Sequence, residues 1–116
     1  MSDVTIYHNP RCSKSRTTLA LLEENGVNPD VVLYLETAPS AQDISGLLVK
    51  LNMTAGQLVR RGEDVYKECG LNKGSSDALV LAAMAEHPKL IERPIVVMGD
   101  RAVLGRPPEN VLALIG

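Results

Sequence analysis

VTIYHNPRCSKSRTTLALLEENGVNPDVVLYL, residues 4–35, carries in succession the signals of a strand, a helix and a second strand. Val4 to Tyr7 is short and rich in β-branched and aromatic residues, and the proline in His8-Asn9-Pro10-Arg11 cannot continue a hydrogen-bonded ladder. After Cys12 the chain becomes polar and helix-compatible, Leu19, Leu21 and Leu22 supply an apolar face, and Asn25-Gly26 is a helix stop. Val31-Val32-Leu33-Tyr34-Leu35 is a nearly unbroken apolar run, the pattern of a strand buried on both faces. Strand, helix and strand together predict a parallel crossover.

Outward from this unit the pattern changes. Ser40-Ala41-Gln42-Asp43 has the form of a capping box, followed by Ile44, Leu47, Leu48 and Leu51 at helical spacing. Thr54 and Gln57 repeat the capping pattern before Leu58 and Val59, predicting a short helix that ends near Arg60-Arg61-Gly62. A third helix starts at Ser75 or Ser76, carries Leu79, Val80, Ala83 and Met84, and halts at His87-Pro88, where we read the histidine as structural. Strand signals return in Ile95-Val96-Val97-Met98 and Arg101-Ala102-Val103-Leu104, joined by a Gly99-Asp100 turn suited to type II′. Pro107-Pro108 then opens a last helix with Val111, Leu114 and Ile115 on its buried face. A parallel crossover, an antiparallel hairpin and a closing helix predict an α/β thioredoxin-like fold, with a helical insertion after the second strand and one domain over residues 1–116.

Composition narrows the function classes. A formal net charge of −2 gives no global attraction to phosphate polymers, which argues against nucleic acid as a partner. The N-terminus shows no charged leader with an apolar core, and no apolar run is long enough to span a membrane, so the expectation is a cytoplasmic protein with no membrane association. In that reducing compartment the two cysteines, Cys12 and Cys69, are not expected to form a structural disulfide.

Cys12 immediately precedes the first helix, where unpaired backbone N–H groups and the positive end of the helix dipole favour an anion. His8, Arg11, Lys14 and Arg16 surround it with the densest basic cluster of the chain, which favours a thiolate and attracts an anionic substrate. We therefore read Cys12 as a nucleophile. Cys12-Ser13-Lys14-Ser15 is a C-x-x-S arrangement, with a hydroxyl where a redox pair would place its second thiol. A disulfide intermediate on Cys12 would need another thiolate to resolve it, and an external thiol is the expected source. Cys69, with acidic neighbours near a predicted helix end, is read as a packing or surface cysteine.

Three arginines look placed: Arg60 after a short helix, and Arg93 and Arg106 at the two ends of the hairpin, each of these two followed by proline. The planar guanidinium fork matches tetrahedral oxyanions. With Ile6-Tyr7-His8-Asn9-Pro10-Arg11-Cys12-Ser13-Lys14-Ser15-Arg16, Leu33-Tyr34-Leu35-Glu36, Arg93-Pro94-Ile95-Val96-Val97 and Gly105-Arg106-Pro107-Pro108-Glu109, the chain resembles the glutaredoxin-coupled arsenate reductase family along nearly its whole length. It is more similar to a short subgroup than to the best-known members, which carry a further C-terminal extension.

The resemblance implies a thioredoxin-like fold, Cys12 as catalytic cysteine, His8 as a second catalytic residue that supports its thiolate, Ser15 as further support for the thiolate, and Arg60, Arg93 and Arg106 as the arginines that hold the oxyanion. It implies a cis-proline at Pro94, no bound cofactor and no metal. The implied partners are arsenate or a related oxyanion, glutathione as co-substrate, and glutaredoxin. Two other functions share these features in part. A glutathione-linked oxidoreductase of protein mixed disulfides has no need of three oxyanion donors, and a redox-sensing transcriptional regulator of this fold would use C-x-x-C where this chain has Ser15.

Overall fold

The computed structural model describes residues 3–115; Met1, Ser2 and Gly116, which enter the reading of the two chain ends, lie outside the described residues. The elements run β1 (Val4–Tyr7), α1 (Ser13–Glu24), β2 (Asp30–Val32), α2 (Ala41–Leu51), α3 (Ala55–Leu58), α4 (Asp64–Glu68), α5 (Asp77–Glu86), β3 (Ile95–Met98), β4 (Arg101–Leu104) and α6 (Val111–Ile115), with 3-10 turns at Pro88–Leu90 and Pro108–Asn110. They fall into two compact units, one formed by the chain up to Thr37 and from Arg93 onward, the other by Ala38–Glu92.

The first unit is built on a four-stranded sheet in the order β2-β1-β3-β4. β1 runs parallel to β2 and antiparallel to β3, with Ile6 opposite Val31 on one side and Val96 on the other. Strand side chains alternate between faces, so Val4, Ile6 and Val96 share one, and there they pack with Leu22 of α1 and with Val111 and Leu114 of α6. Burying each of these side chains contributes roughly 1.5–3 kcal/mol, which fixes α1 and α6 to the sheet. Gly99 supplies the positive φ of 62° at the β3–β4 turn while Asp100 stays at negative φ, as a type II′ turn requires.

The second strand differs from its expected form. β2 is three residues long, lies at the sheet edge, and leaves Val31 46% exposed, so it is not a strand buried on both faces. The chain turns immediately after it, with the Glu36 and Thr37 amides donating to the Leu33 carbonyl, and this turn buries Tyr34 while Leu35 faces outward. A run of apolar residues can thus be an edge strand followed by a turn with one buried aromatic.

The second unit is helical. Both expected capping boxes form: Ser40 Oγ accepts from the Asp43 amide at 3.0 Å and Thr54 Oγ1 from the Gln57 amide at 3.2 Å, each answered by the acidic or amide side chain reaching back. Ile44 and Leu47 of α2, Ala55 and Leu58 of α3, and Val80, Ala83 and Met84 of α5 form its interior, and Ser76 caps α5. The short α4 is anchored by buried Tyr66 and ends at its C-cap Cys69, where the sequence predicts a helix end. α3 ends at Leu58, earlier than expected, and Val59 makes an antiparallel bridge to Ile91. Arg60 therefore lies in extended chain, its amide donating to the Leu90 carbonyl at 2.7 Å, rather than at a helix end.

A parallel β1–β2 crossover, an antiparallel β3–β4 hairpin, helices on the sheet and a helical segment inserted after the second strand make this a thioredoxin-like fold.

Candidate functional site

The N-terminal half of α1 turns hydroxyls inward: Ser15, Thr18 and Leu22 are its buried residues, one helical turn apart. Buried hydroxyls need partners. Ser15 Oγ lies 2.7 Å from His8 Nδ1 and accepts from the Asn9 amide at 3.0 Å. Asn9 organises the rest of the loop, its side-chain oxygen accepting from the Arg11 amide and its carbonyl from the Cys12 amide, both at 3.0 Å. Asn9 is an element that residue-type reasoning passed over, although an Asx turn before Pro10 is a usual loop device. The outcome is a rigid five-residue loop, His8 to Cys12, from the end of β1 to α1.

Cys12 is the N-cap residue of α1, in extended conformation, half-buried, and its side chain makes no capping hydrogen bond. The amides of the first helical turn are therefore not satisfied by the cap side chain and can face an anion at this end. Of the four expected basic neighbours, His8 does not contribute charge at neutral pH. It is buried, and burial first and the nearby Arg16 guanidinium second push its imidazole below the ordinary 6.5. The Arg16 side chain turns back to donate to the Pro10 carbonyl at 2.8 Å, which adds a further tie to the loop.

A measurable consequence follows for stability. The unfolded chain takes up a proton on His8 near pH 6.5 and the folded chain resists it, so the unfolded state binds more protons as the pH falls through that value. Stability should decline below pH 6.5 and gain nothing from this group above it. Urea midpoints across acid and neutral pH check this, and His8→Asn should flatten the decline; an equally steep decline in that variant would assign it to other groups.

Arg93 and Arg106 are brought together. The Arg106 guanidinium donates to the Arg93 carbonyl at 3.2 Å, and the Gly105 amide donates to the Pro94 carbonyl at 2.8 Å. Both Arg93–Pro94 and Arg106–Pro107 peptide bonds are cis. The Pro94–Gly105 pair lies directly against Thr18, whose Oγ1 donates to the Lys14 carbonyl at 2.7 Å, so both arginine corners are seated on the N-terminal half of α1. Arg93 Nε is buried without a hydrogen-bond partner among the described residues. Arg60 belongs to the helical unit, where its Nε lies 3.3 Å from Glu92 Oε1 with both side chains about one-quarter exposed. Cys69 is the C-cap of α4, and Cys12 and Cys69 are both free thiols. Among the described residues no three His, Cys, Asp or Glu side chains cluster as a metal ion would require, and no helix is long and apolar enough to cross a membrane.

Fold and loop define a class: a thioredoxin-like protein with one cysteine capping the first helix and a serine where a paired cysteine would stand. Comparison with known proteins agrees. The ArsC family profile matches residues 7–114, and the chain belongs to that family. It is 45% identical over 118 residues to the arsenate reductase of Neisseria meningitidis, covering 99% of this chain and 100% of that one. It is 56% identical over 115 residues to the uncharacterized protein YfgD of Escherichia coli, covering 97% of each. Among solved structures it is similar to an arsenate reductase from Vibrio cholerae, with a TM-score of 0.91, 54% identity and 95% of both chains covered.

Proposed function

We propose that this protein is an arsenate reductase in which Cys12 is the nucleophile and external thiols, glutathione and glutaredoxin, supply the electrons. The observation that carries the reading is the Cys12 thiol, standing as an N-cap with no hydrogen bond to its own helix, three residues before a serine locked by other partners.

The Cys12 thiolate attacks arsenic(V), an S–As bond forms, and one arsenate oxygen leaves as water after protonation. A glutathione sulfur then attacks the Cys12 sulfur. The S–As bond breaks with its electron pair passing to arsenic, which leaves as arsenite, and the two sulfurs are oxidised to a mixed disulfide. A further thiol, that of glutaredoxin, attacks the glutathione sulfur and returns the Cys12 thiolate. Each turnover consumes two external thiols per two-electron reduction, as a chain with Ser15 in place of a resolving cysteine demands.

Arg93 and Arg106 are assigned to the oxyanion: they are adjacent, and the Arg93 Nε–H has no competing acceptor among the described residues. Resemblance adds Arg60, which in that role exchanges its Glu92 carboxylate for another anion. His8 and Ser15 act as positioning residues, neutral and buried, that hold the loop carrying Cys12. A free Cys12 suits the reducing cytoplasm.

Arsenite release from arsenate in the presence of glutathione and glutaredoxin tests the reading. Arg93→Ala should slow it by about 10²–10³-fold, the usual cost of losing one preorganised oxyanion donor. Absence of arsenite release by the native chain, or an unchanged rate in Arg93→Ala, would overturn the assignment.

A further inference from the structure

Arg106 sits in a corner between the end of β4 at Leu104 and the 3-10 turn Pro108–Asn110. On one side the corner is tied to the start of β3, where the Gly105 amide donates to the Pro94 carbonyl at 2.8 Å. On the other side a single side chain spans it. Asn110 Nδ2 donates to the Leu104 carbonyl at 3.0 Å and to the Arg106 carbonyl at 3.3 Å, while the Asn110 amide donates to the Pro107 carbonyl at 3.1 Å. The two side-chain bonds bracket Gly105-Arg106, one carbonyl lying just before the pair and the other at its end.

The chemistry of the residue makes this arrangement specific. A carboxamide carries two N–H donors on one nitrogen, and Asn110 gives one to each carbonyl. An ionised aspartate of the same shape offers no donor, leucine none and serine one. Asn110 is exposed, so water can satisfy either carbonyl with little loss of stability. Water cannot hold the two carbonyls at a fixed separation. A clamp that adds little to stability and yet fixes the backbone on both sides of an arginine points to that arginine's side chain as the thing it serves. The Arg106 guanidinium donates to the Arg93 carbonyl at 3.2 Å, so a turn of the backbone at Arg106 shifts one guanidinium of the pair relative to the other. We propose that Asn110 is a positioning residue of the oxyanion site, its two-carbonyl clamp setting the backbone from which Arg106 reaches the anion. The inference rests on the assignment of Arg106 to the oxyanion, and Asn110 acts through that arginine rather than on the substrate.

Asn110→Leu keeps the size of the side chain and removes both donors. Arsenate titrated into a Cys12→Ser chain, which cannot turn over, reads binding apart from chemistry. On that background Asn110→Leu should weaken arsenate by about tenfold, as displacement of a preorganised group does, while the thermal midpoint falls by no more than about 5 °C. In turnover the same substitution should raise KM for arsenate by a similar factor and leave KM for glutathione unchanged, whereas a mere loss of folded protein would lower kcat and leave both KM values as they were. The decisive arm is coupling: once Arg106→Ala has removed the guanidinium, Asn110→Leu should weaken arsenate no further. Unchanged arsenate affinity in Asn110→Leu would overturn the proposal, and so would a loss of equal size with and without Arg106, or an equal rise in KM for glutathione. Arsenate binding that depends on Asn110 in a chain that releases no arsenite would refute the proposed activity and leave the clamp assigned, whereas no arsenate binding by the Cys12→Ser chain would overturn the clamp together with the oxyanion site.

Discussion

Replacing Cys12 by serine is expected to abolish arsenite release, by more than about 10³-fold, while leaving the fold as stable as the native one or more so. The first half follows from chemistry: a hydroxyl at this position is a far poorer nucleophile at neutral pH and cannot enter a disulfide. The second half follows from the cap. Cys12 occupies the N-cap of α1 in extended conformation and makes no side-chain bond to the helix. A serine hydroxyl there can accept from the amides one turn into the helix, and a capping bond of that kind contributes about 1 kcal/mol. The thermal midpoint of Cys12→Ser should therefore equal or exceed the native value as activity disappears. A variant that lost both together would mean that the thiol is a packing element, and one that kept its activity would remove Cys12 from the mechanism. Opposite movement of the two readouts marks a position where cap stability has been given up so that free amides face an anion.

Much of this arrangement was legible in the residues because it is local. Ser40 with Asp43 and Thr54 with Gln57 announce helix starts through bonds three residues long, and Asn25-Gly26 and Gly99-Asp100 announce stops and turns through backbone geometry that few residues adopt. Cys12 was readable for the same reason, as a helix start among cations. What escaped the sequence depends on distant partners. The run 31–35 does not reveal that its strand lies at a sheet edge, since edge position is decided by how β1 pairs with β3 on its other side. Arg60 was placed at a helix end because nothing local announces the bridge from Val59 to Ile91. Thr18 reads as one more polar residue in a polar helix start, yet it is fully buried against a backbone 87 positions away. His8 counts as a basic neighbour of Cys12 by sequence and is neutral in the fold, because burial decides its charge.

Gly105→Ala is the second large effect, and it is expected to destabilise the protein by about 1–3 kcal/mol through overpacking at one point. A Cβ at this position would lie 2.7 Å from Thr18 Oγ1, 2.8 Å from Pro94 Cγ and 3.1 Å from Thr18 Cγ2. None of these atoms can retreat cheaply. Thr18 is fully buried and its Oγ1 is bonded to the Lys14 carbonyl at 2.7 Å, while Pro94 is a rigid, buried ring whose carbonyl accepts from the Gly105 amide at 2.8 Å. The thermal midpoint should fall by roughly 5–20 °C for a chain of this size. The clash falls between Arg93, next to Pro94, and Arg106, next to Gly105, so in the protein that remains folded below its midpoint, KM for arsenate should rise as the two guanidinium groups separate. Thr18→Ala removes two of the three close contacts but also a buried hydroxyl's bond, so alone it should cost about 1 kcal/mol. Combined with Gly105→Ala it should recover part of the loss, giving a favourable coupling in a double-mutant cycle. Additive losses would mean that the strain is taken up by Pro94 alone, and a Gly105→Ala protein with native stability would show that the corner joining the two arginines has room that its packing denies. Under the close-packed arrangement seen here, glycine is the only residue that lets α1, with Cys12 at its head, approach the corner where both arginines are held.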